Sequence, residues 1–348
     1  MNGGVNEQKI ESGLLPSALV FGAKSRQAGL DIGVTIGFYP GLNGARGKTG
    51  LDTSGIDLRQ NFLTFGDKSW GTVKVGKDIG LFGSDAILAD MTLLGVGSGA
   101  AFLGGNTTLG RIGVGYIYTD WIPQITYSSP SYGGFSFAGG VFQGVNIVQA
   151  GGAAGSAQLT GHEEPGFQGK ASYEWKGSVS GKAWVSGIGQ KVKARTSDLP
   201  VLPSGANVSG TGFDIGAKVN YGALEGVLYA YSADGIGTTA IGFNAASFAG
   251  GTLEKRKSDG WYAQATYKIG AFKPGVSYGE SHLKLAGNES SATNPTLVKT
   301  NKSWVLGLYY SLTPSLNLVA EYIPTEAENQ AGGTVKDKVL ALGAILFF

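Results

Sequence analysis

The chain has 348 residues, of which 60 are glycine and 42% are apolar, and its 27 basic and 25 acidic side chains give a formal net charge of +2. This balance excludes a broadly charged surface for nucleic acid. The absence of cysteine excludes disulfides, thiolate catalysis and cysteine-based metal sites. With two histidines, His162 and His282, we expect no histidine-based metal site and no cofactor.

The hydropathy pattern argues against membrane-spanning helices and in favour of strands. No run of about 18 apolar residues occurs, so no helical span is predicted. Yet only 15% of the residues are charged, which is too few for a fully solvated surface. A β-barrel in a membrane satisfies both observations, because only one face of each strand meets lipid.

Alternation of apolar with polar or small residues recurs along the whole chain, at the period typical of tilted membrane strands. It is clearest at 30–38, 213–221 and 261–268, and the last of these has aromatic residues at both ends of its apolar face. The pattern predicts about fifteen strands, near residues 17–26, 29–40, 56–66, 71–77, 112–128, 134–143, 166–176, 180–193, 211–221, 223–232, 258–268, 271–281, 302–311, 315–323 and 337–348.

The links between these segments alternate in length. The short ones include 67–70, 129–133 and 312–314, and the long ones are rich in Gly, Asn, Ser and Thr. The long links are 41–55, 144–165, 194–210, 233–256, 283–301 and 324–335. Short turns on one side and long loops on the other are typical of barrels with periplasmic turns and external loops.

An odd strand number is unexpected for a closed bacterial barrel. Residues 1–14 read as a polar lead without an identified strand, and residues 15–348 as a single barrel domain. Either a sixteenth strand precedes Met1, or it lies within the lead, or the count is off by one. The start lacks a basic region followed by an apolar core, so we interpret the chain as a mature or truncated form of an exported protein.

Four segments resemble the trimeric, sixteen-stranded general porins of Gram-negative bacteria: 23–33, 59–77, 127–135 and 344–348. The resemblance implies an all-β, transmembrane antiparallel barrel in the cell outer membrane, in contact with the lipid bilayer and lipopolysaccharide, and a homotrimer. It also implies that the barrel-assembly machinery reads the C-terminal strand, with Leu346 and Phe348 as the signal.

In that family the third loop folds into the barrel lumen, and residues 78–110 occupy the corresponding position here. The stretch 81–91 is rich in Leu, Ile and Phe, which favours packing against the inner wall over exposure to water. We expect its two carboxylates, Asp85 and Asp90, to face the pore.

Side chains opposite the lipid face must point inward, since a charge on the lipid face at the bilayer midplane costs about 2–4 kcal/mol. With Leu58 and Phe62 outward, this parity predicts inward cations at the constriction: Lys24, Arg26, Arg59 and Lys74. Lys77 is included although it lies one register off unless a bulge re-aims it. A weaker set on the lumen wall comprises Asp57, Asn61, Lys170, Glu174, Asp214 and Lys218.

A basic wall facing an acidic loop predicts a water-filled channel for passive diffusion of small hydrophilic solutes, with small anions preferred. Alternatively, these charges only keep the wall solvated. A second alternative is a substrate-specific channel for organic acids or, with less support, for sugars, because only Tyr39, Tyr262 and Tyr309 fall inward among the aromatics. A barrel-scaffold enzyme or adhesin is a remote alternative, since no cluster of Ser, His and carboxylate is visible on the loops. We predict no enzymatic activity.

Overall fold

The computed structural model describes residues 6, 8–42, 45–46, 52–53, 56–98, 107–150, 155–198, 202–203 and 205–348. Nineteen strands occur in these residues. They are β1 Leu19–Gln27, β2 Leu30–Pro40, β3 Ala45–Arg46, β4 Asp52–Thr53, β5 Ile56–Asp67, β6 Gly71–Ile79, β7 Trp121–Ser128, β8 Phe135–Phe142, β9 Gly166–Trp175, β10 Val179–Lys193, β11 Asn207–Tyr221, β12 Leu224–Asp234, β13 Ala246–Ala249, β14 Thr252–Lys255, β15 Lys257–Tyr267, β16 Phe272–Leu283, β17 Val298–Ser311, β18 Leu316–Asn329 and β19 Thr334–Leu346.

Fifteen of the strands form one antiparallel sheet in which chain neighbours pair, in the order β1-β2-β5-β6-β7-β8-β9-β10-β11-β12-β15-β16-β17-β18-β19. The pairs β3-β4 and β13-β14 are small hairpins in the long loops. Alternate residues face opposite sides of the sheet: Phe213 and Ile215 on β11 are exposed, whereas Asp214 between them is buried. An apolar outer face and a polar inner face are the architecture of a transmembrane β-barrel, which confirms the predicted fold class.

All fifteen predicted segments fall on strands of this sheet, and the two largest boundary errors are at 112–120 and 324–335. Residues 112–120 form no strand, so β7 begins only at Trp121. The expected long loop at 324–335 is replaced by extensions of β18 and β19 around a short turn. Residues 8–14 of the lead carry no strand assignment, and residues 1–5 and 7 lie outside the described part.

The helical part of the described chain is small. One short α-helix, α1 Ser84–Ala89, is followed by a 3-10 turn, Met91–Leu94, and both belong to the connection between β6 and β7. None of the described helices is long and apolar enough to cross a membrane. The largest apolar cluster among the described residues lies around this connection, which we call the third loop and define as residues 80–98 and 107–120.

Candidate functional site

The third loop packs its apolar side chains against the inner side of the sheet. Phe82, Ala86 and Ile87 are buried in one cluster with Ile188 and Tyr229 of the wall. An aliphatic or aromatic side chain gains about 1.5–3 kcal/mol on full burial, so this packing favours a fixed position for the loop. The loop therefore divides the wall into a part that it covers and a part that it leaves open.

Polar side chains of the covered part hold the backbone of the third loop. We call this part the docked wall: the inward residues of β9 to β18 that contact the loop. Gln168 Oε1 accepts hydrogen bonds from Leu81 N at 2.7 Å and from Phe82 N at 3.0 Å. Three other wall side chains act in the same way: Asp214 accepts from Gly83 N, Gln264 from Met91 N, and Glu321 from Val96 N and Gly97 N.

Asp85 on α1 joins the loop to two lysines of the docked wall. Its Oδ1 is 2.6 Å from Lys182 Nζ and its Oδ2 is 2.9 Å from Lys170 Nζ. The carboxylate side chain is 8% exposed, whereas Lys170 and Lys182 are 21% and 30% exposed. The lysines thus keep contact with the lumen while the carboxylate is shielded.

Asp90 lies at the centre of a second anchor. Its Oδ2 accepts hydrogen bonds from Tyr116 Oη at 2.9 Å and from Arg111 N at 3.2 Å. The fully buried guanidinium of Arg111 donates to the backbone oxygen of Ser303 on β17 at 3.1 Å. The Asp90 carboxylate and the Arg111 guanidinium each have hydrogen-bond partners of their own, which offsets part of the cost of burying them.

The expectation that Asp85 and Asp90 face the pore is wrong. Both are buried, because each is enclosed by partners from the wall or from the loop itself. The described side chains that α1 and the 3-10 turn expose most are instead Leu88, at 56%, and Leu94, at 39%. The loop presents an apolar surface to the open lumen.

The opposite side of the lumen also carries cations, and among its described inward residues Lys24 is exposed whereas Tyr39, Arg59 and Asp78 are buried. We call it the open wall: the inward residues of β1, β2, β5 and β6. The register aligns Lys24, Gly33, Thr64 and Lys74 across these four strands, so the side chains of Lys24, Thr64 and Lys74 share the inner face. Lys74 pairs with Asp78, whose side chain is 6% exposed against 27% for the lysine.

A bulge in the open wall changes the predicted orientation of two residues of β5, Asn61 and Phe62. The register between β2 and β5 shifts between Gly37 and Tyr39, which inserts an extra residue into β5. Beyond that point Asn61 lies opposite Lys77, on the face that carries Leu63 and Val75. Asn61 is therefore outward, and Lys77 is outward because no bulge of β6 re-aims it from its position three residues after the inward Lys74; the inward assignments of both are wrong.

Phe62, assigned outward by the same parity, turns inward. Its ring lies 4.9 Å from Lys74 Nζ, which identifies the face it occupies. The side chains before the bulge keep their predicted direction: Arg59 is buried, and its Nε donates to Asp57 Oδ2 at 2.8 Å.

Comparison with known proteins agrees with this arrangement. A family model described as Gram-negative porin matches residues 12–330. The chain belongs to the Gram-negative porin family. It is an outer-membrane channel, as the sequence predicts, and no curated protein matches it.

Solved porin structures share the fold at low sequence identity. The outer membrane channel DcaP of Acinetobacter baumannii has a TM-score of 0.70 at 14% identity, covering 96% of this chain and 86% of its own. The anion-selective porin from Comamonas acidovorans has a TM-score of 0.59 at 14% identity, covering 96% and 87%. The trimer form of OmpT from Vibrio cholerae has a TM-score of 0.50 at 16% identity, covering 97% and 91%.

The remaining wall residues of the porin lie inward with partners close by. Lys218 Nζ is 2.7 Å from Glu225 Oε2, and Glu174 is 3.8 Å from Lys182. At the periplasmic turn end, Arg26 bridges Asp31 and Asp67, both at 2.7 Å. Arg26 therefore lies at the mouth of the channel and away from the third loop.

The C-terminal residues lie where the sequence predicts an exposed end. Leu346 is the last residue of β19 and pairs with Leu316, and Phe348 beyond it is exposed.

Several residues that hold the loop were not singled out from the sequence, above all Gln168, Gln264, Arg111 and Glu321. Parity alone places the wall residues Gln168, Gln264 and Glu321 inward, but it does not predict which backbone groups of the loop they bind. Tyr262, recognised as inward, donates to the backbone oxygen of Ala86 at 2.8 Å and is buried behind the loop.

A buried ion pair joins the external loops of the porin. The side chains of Arg256 and Glu289 pair while both are fully buried. Arg256 Nη1 also donates to Ser156 Oγ at 2.7 Å and to the backbone oxygen of Asn244 at 3.1 Å. Burial alone would raise the pKa of Glu289, but hydrogen bonds from Arg256 and from the Ala286 backbone outweigh it and the pKa is lowered. Three external loops are thus tied together.

Proposed function

We propose that the porin mediates passive diffusion of small hydrophilic solutes and ions, with anions preferred. The observation that carries the proposal is the unequal exposure within the three ion pairs that Lys74, Lys170 and Lys182 make with Asp78 and Asp85; the pairs of Arg59 with Asp57 and of Lys182 with Glu174 have the opposite order. Lys74, Lys170 and Lys182 are 21–30% exposed, whereas their carboxylate partners Asp78 and Asp85 are 6–8% exposed. A permeating ion therefore meets ammonium groups more directly than carboxylates, and the local potential favours anions.

Two further observations support this reading. Lys24 on the open wall is exposed and makes no ion pair among the described residues, so it adds an uncompensated positive charge. The fold neighbour from Comamonas acidovorans is described as anion-selective. A sugar channel has less support, because Tyr262 and Tyr309 bond to the loop backbone and to Glu321 and do not form an open aromatic path.

Planar lipid bilayers test the anion preference directly. Purified porin is inserted between two KCl solutions of unequal concentration, and the reversal potential is measured. We expect the reversal potential to have the sign that corresponds to chloride permeating faster than potassium. A potential of the opposite sign, or none, would contradict the proposed preference while leaving the channel itself intact.

We also propose that the porin acts as a homotrimer, with its outer face in lipid and lipopolysaccharide and with Leu346 and Phe348 recognised during barrel assembly. The trimer form of the OmpT neighbour supports the oligomeric state. Light scattering on the detergent-purified protein, corrected for bound detergent, should give three times the mass of one chain. A monomeric mass under conditions where channels still form would contradict it.

A further inference from the structure

A cavity of about 810 Å³ lies between the third loop and the external loops, and its lining is mostly apolar. Leu88 and Leu93 contribute from the third loop, Trp121 from the start of β7, and Val145 and Ile241 from two external loops. Small-molecule sites of about 300–1,000 Å³ combine such a lining with a few placed polar groups. The cavity therefore has the size and the apolar surface of a binding site.

Arg59 supplies the first polar group. Its guanidinium lies 5.5 Å from the centre of the Tyr39 ring and 5.9 Å from that of Trp121, which fixes its plane. Among the described residues its one hydrogen bond runs from Nε to Asp57 Oδ2. Neither terminal amino group bonds to another described side chain, and the two are spaced to bind a carboxylate through two parallel bonds.

Asp120 supplies the second polar group of the cavity. It lines the same cavity, and its carboxylate interacts electrostatically with Lys77 and, less strongly, with Arg59. Its backbone adopts a left-handed conformation, with φ of 59°, which is uncommon for a residue other than glycine. Oδ1 accepts from Trp121 N at 2.7 Å, so the second oxygen is left for another donor.

The charges decide the class of ligand. A simple organic anion would bind Arg59 but would be repelled by Asp57 and Asp120, and a simple amine would be repelled by Arg59. A molecule with a carboxylate, an ammonium group and an apolar body matches the guanidinium of Arg59, the carboxylate of Asp120 and the apolar lining of the cavity, in that order. We propose that the cavity binds α-amino acids with apolar side chains as they pass through the channel. This inference rests on the proposed diffusion function, because it names one class of permeating solute.

Current block in planar bilayers tests it, with L-phenylalanine, benzoate, phenethylamine and glycine as probes. We expect phenylalanine to interrupt the current at concentrations at least about tenfold lower than each of the others, since each control lacks one feature. This comparison uses the unaltered protein. Equal block by benzoate and phenylalanine, or no block by any probe, would overturn the proposal.

Two variants locate the site. Arg59→Gln and Asp120→Asn should each raise the half-blocking concentration of phenylalanine about tenfold or more, because each removes one charge-assisted contact. Arg195→Gln and Asp234→Asn, outside the cavity lining, serve as matched controls and should leave it unchanged. Unaltered block in Asp120→Asn would overturn the amino-acid assignment. The reversal potential recorded in the same membranes reports the anion preference separately.

Discussion

The docked wall and the open wall are built from the same strand pattern but use their polar side chains differently. On the docked wall, Gln168, Asp214, Gln264 and Glu321 are buried against the loop backbone. On the open wall, Lys24 is exposed to the lumen. The difference shows that inward direction alone does not make a residue part of the pore, because the folded loop decides which inward residues solutes can reach.

The strongest way to disturb this division is to remove the buried cation of the third loop. Arg111→Met removes the hydrogen bonds that the guanidinium donates to Ser303 and the positive charge that interacts electrostatically with Asp90, at a cost of about 1.5–3 kcal/mol. We expect a lower midpoint of thermal unfolding, followed by circular dichroism in detergent, and larger fluctuations of the single-channel current.

Arg195→Met is the matched control, because Arg195 is exposed on an external loop. It should change neither quantity. If Arg111→Met keeps the thermal midpoint and the current fluctuations of the unaltered porin, the contacts of Arg111 do not hold the loop.

Charge at the boundary between the walls should change selectivity. Asp85→Asn removes the carboxylate that balances Lys170 and Lys182, so two ammonium groups lose their shielded partner. The reversal potential in a KCl gradient should shift toward stronger anion preference.

The control for this change is Glu163→Gln, at an exposed position of an external loop. It should leave the reversal potential unchanged. A shift of Asp85→Asn toward potassium would contradict the placement of the two lysines at the edge of the pore.

The smallest expected effect comes from a single exposed cation of the open wall. Lys24→Gln removes a positive charge that has no ion-pair partner among the described residues, and salt in the lumen screens it. We expect a modest loss of anion preference that grows as the salt concentration falls. Lys336→Gln, 69% exposed at the start of β19, should show no such trend. A loss independent of salt would argue against a direct electrostatic role for Lys24.

The sequence predicted the strands well because the lipid face imposes a strict alternation. At 213–221 every second residue is large and apolar, apart from Ala217, and the structure exposes Phe213 and Ile215 as expected. The same rule failed at 112–120, where Ile112, Val114, Tyr116 and Tyr118 also alternate. There Gly113 and Gly115, with φ of 74° and 134°, bend the chain into the loop, and the buried side chains pack inside the lumen.

The site was predicted less completely because strand parity predicts which face of the sheet a side chain is on, but not which residue it contacts there. Asp85 and Asp90 were correctly assigned to the third loop, but the partners of Asp85 are Lys170 and Lys182, which are distant in sequence, and those of Asp90 are Tyr116 and the Arg111 backbone, which only the folded loop brings close. The bulge in β5 reversed Asn61, since an inserted residue inverts every later position on a strand.

The most direct test of the division uses the absence of native cysteine. Thr64→Cys lies on the open wall, and Thr266→Cys replaces an inward side chain of β15 that is 2% exposed. A charged, water-soluble thiol reagent should modify Thr64→Cys rapidly and change its single-channel conductance, while Thr266→Cys should react slowly if at all. Equal and rapid modification at both positions would contradict the claim that the third loop separates an open wall from a docked one.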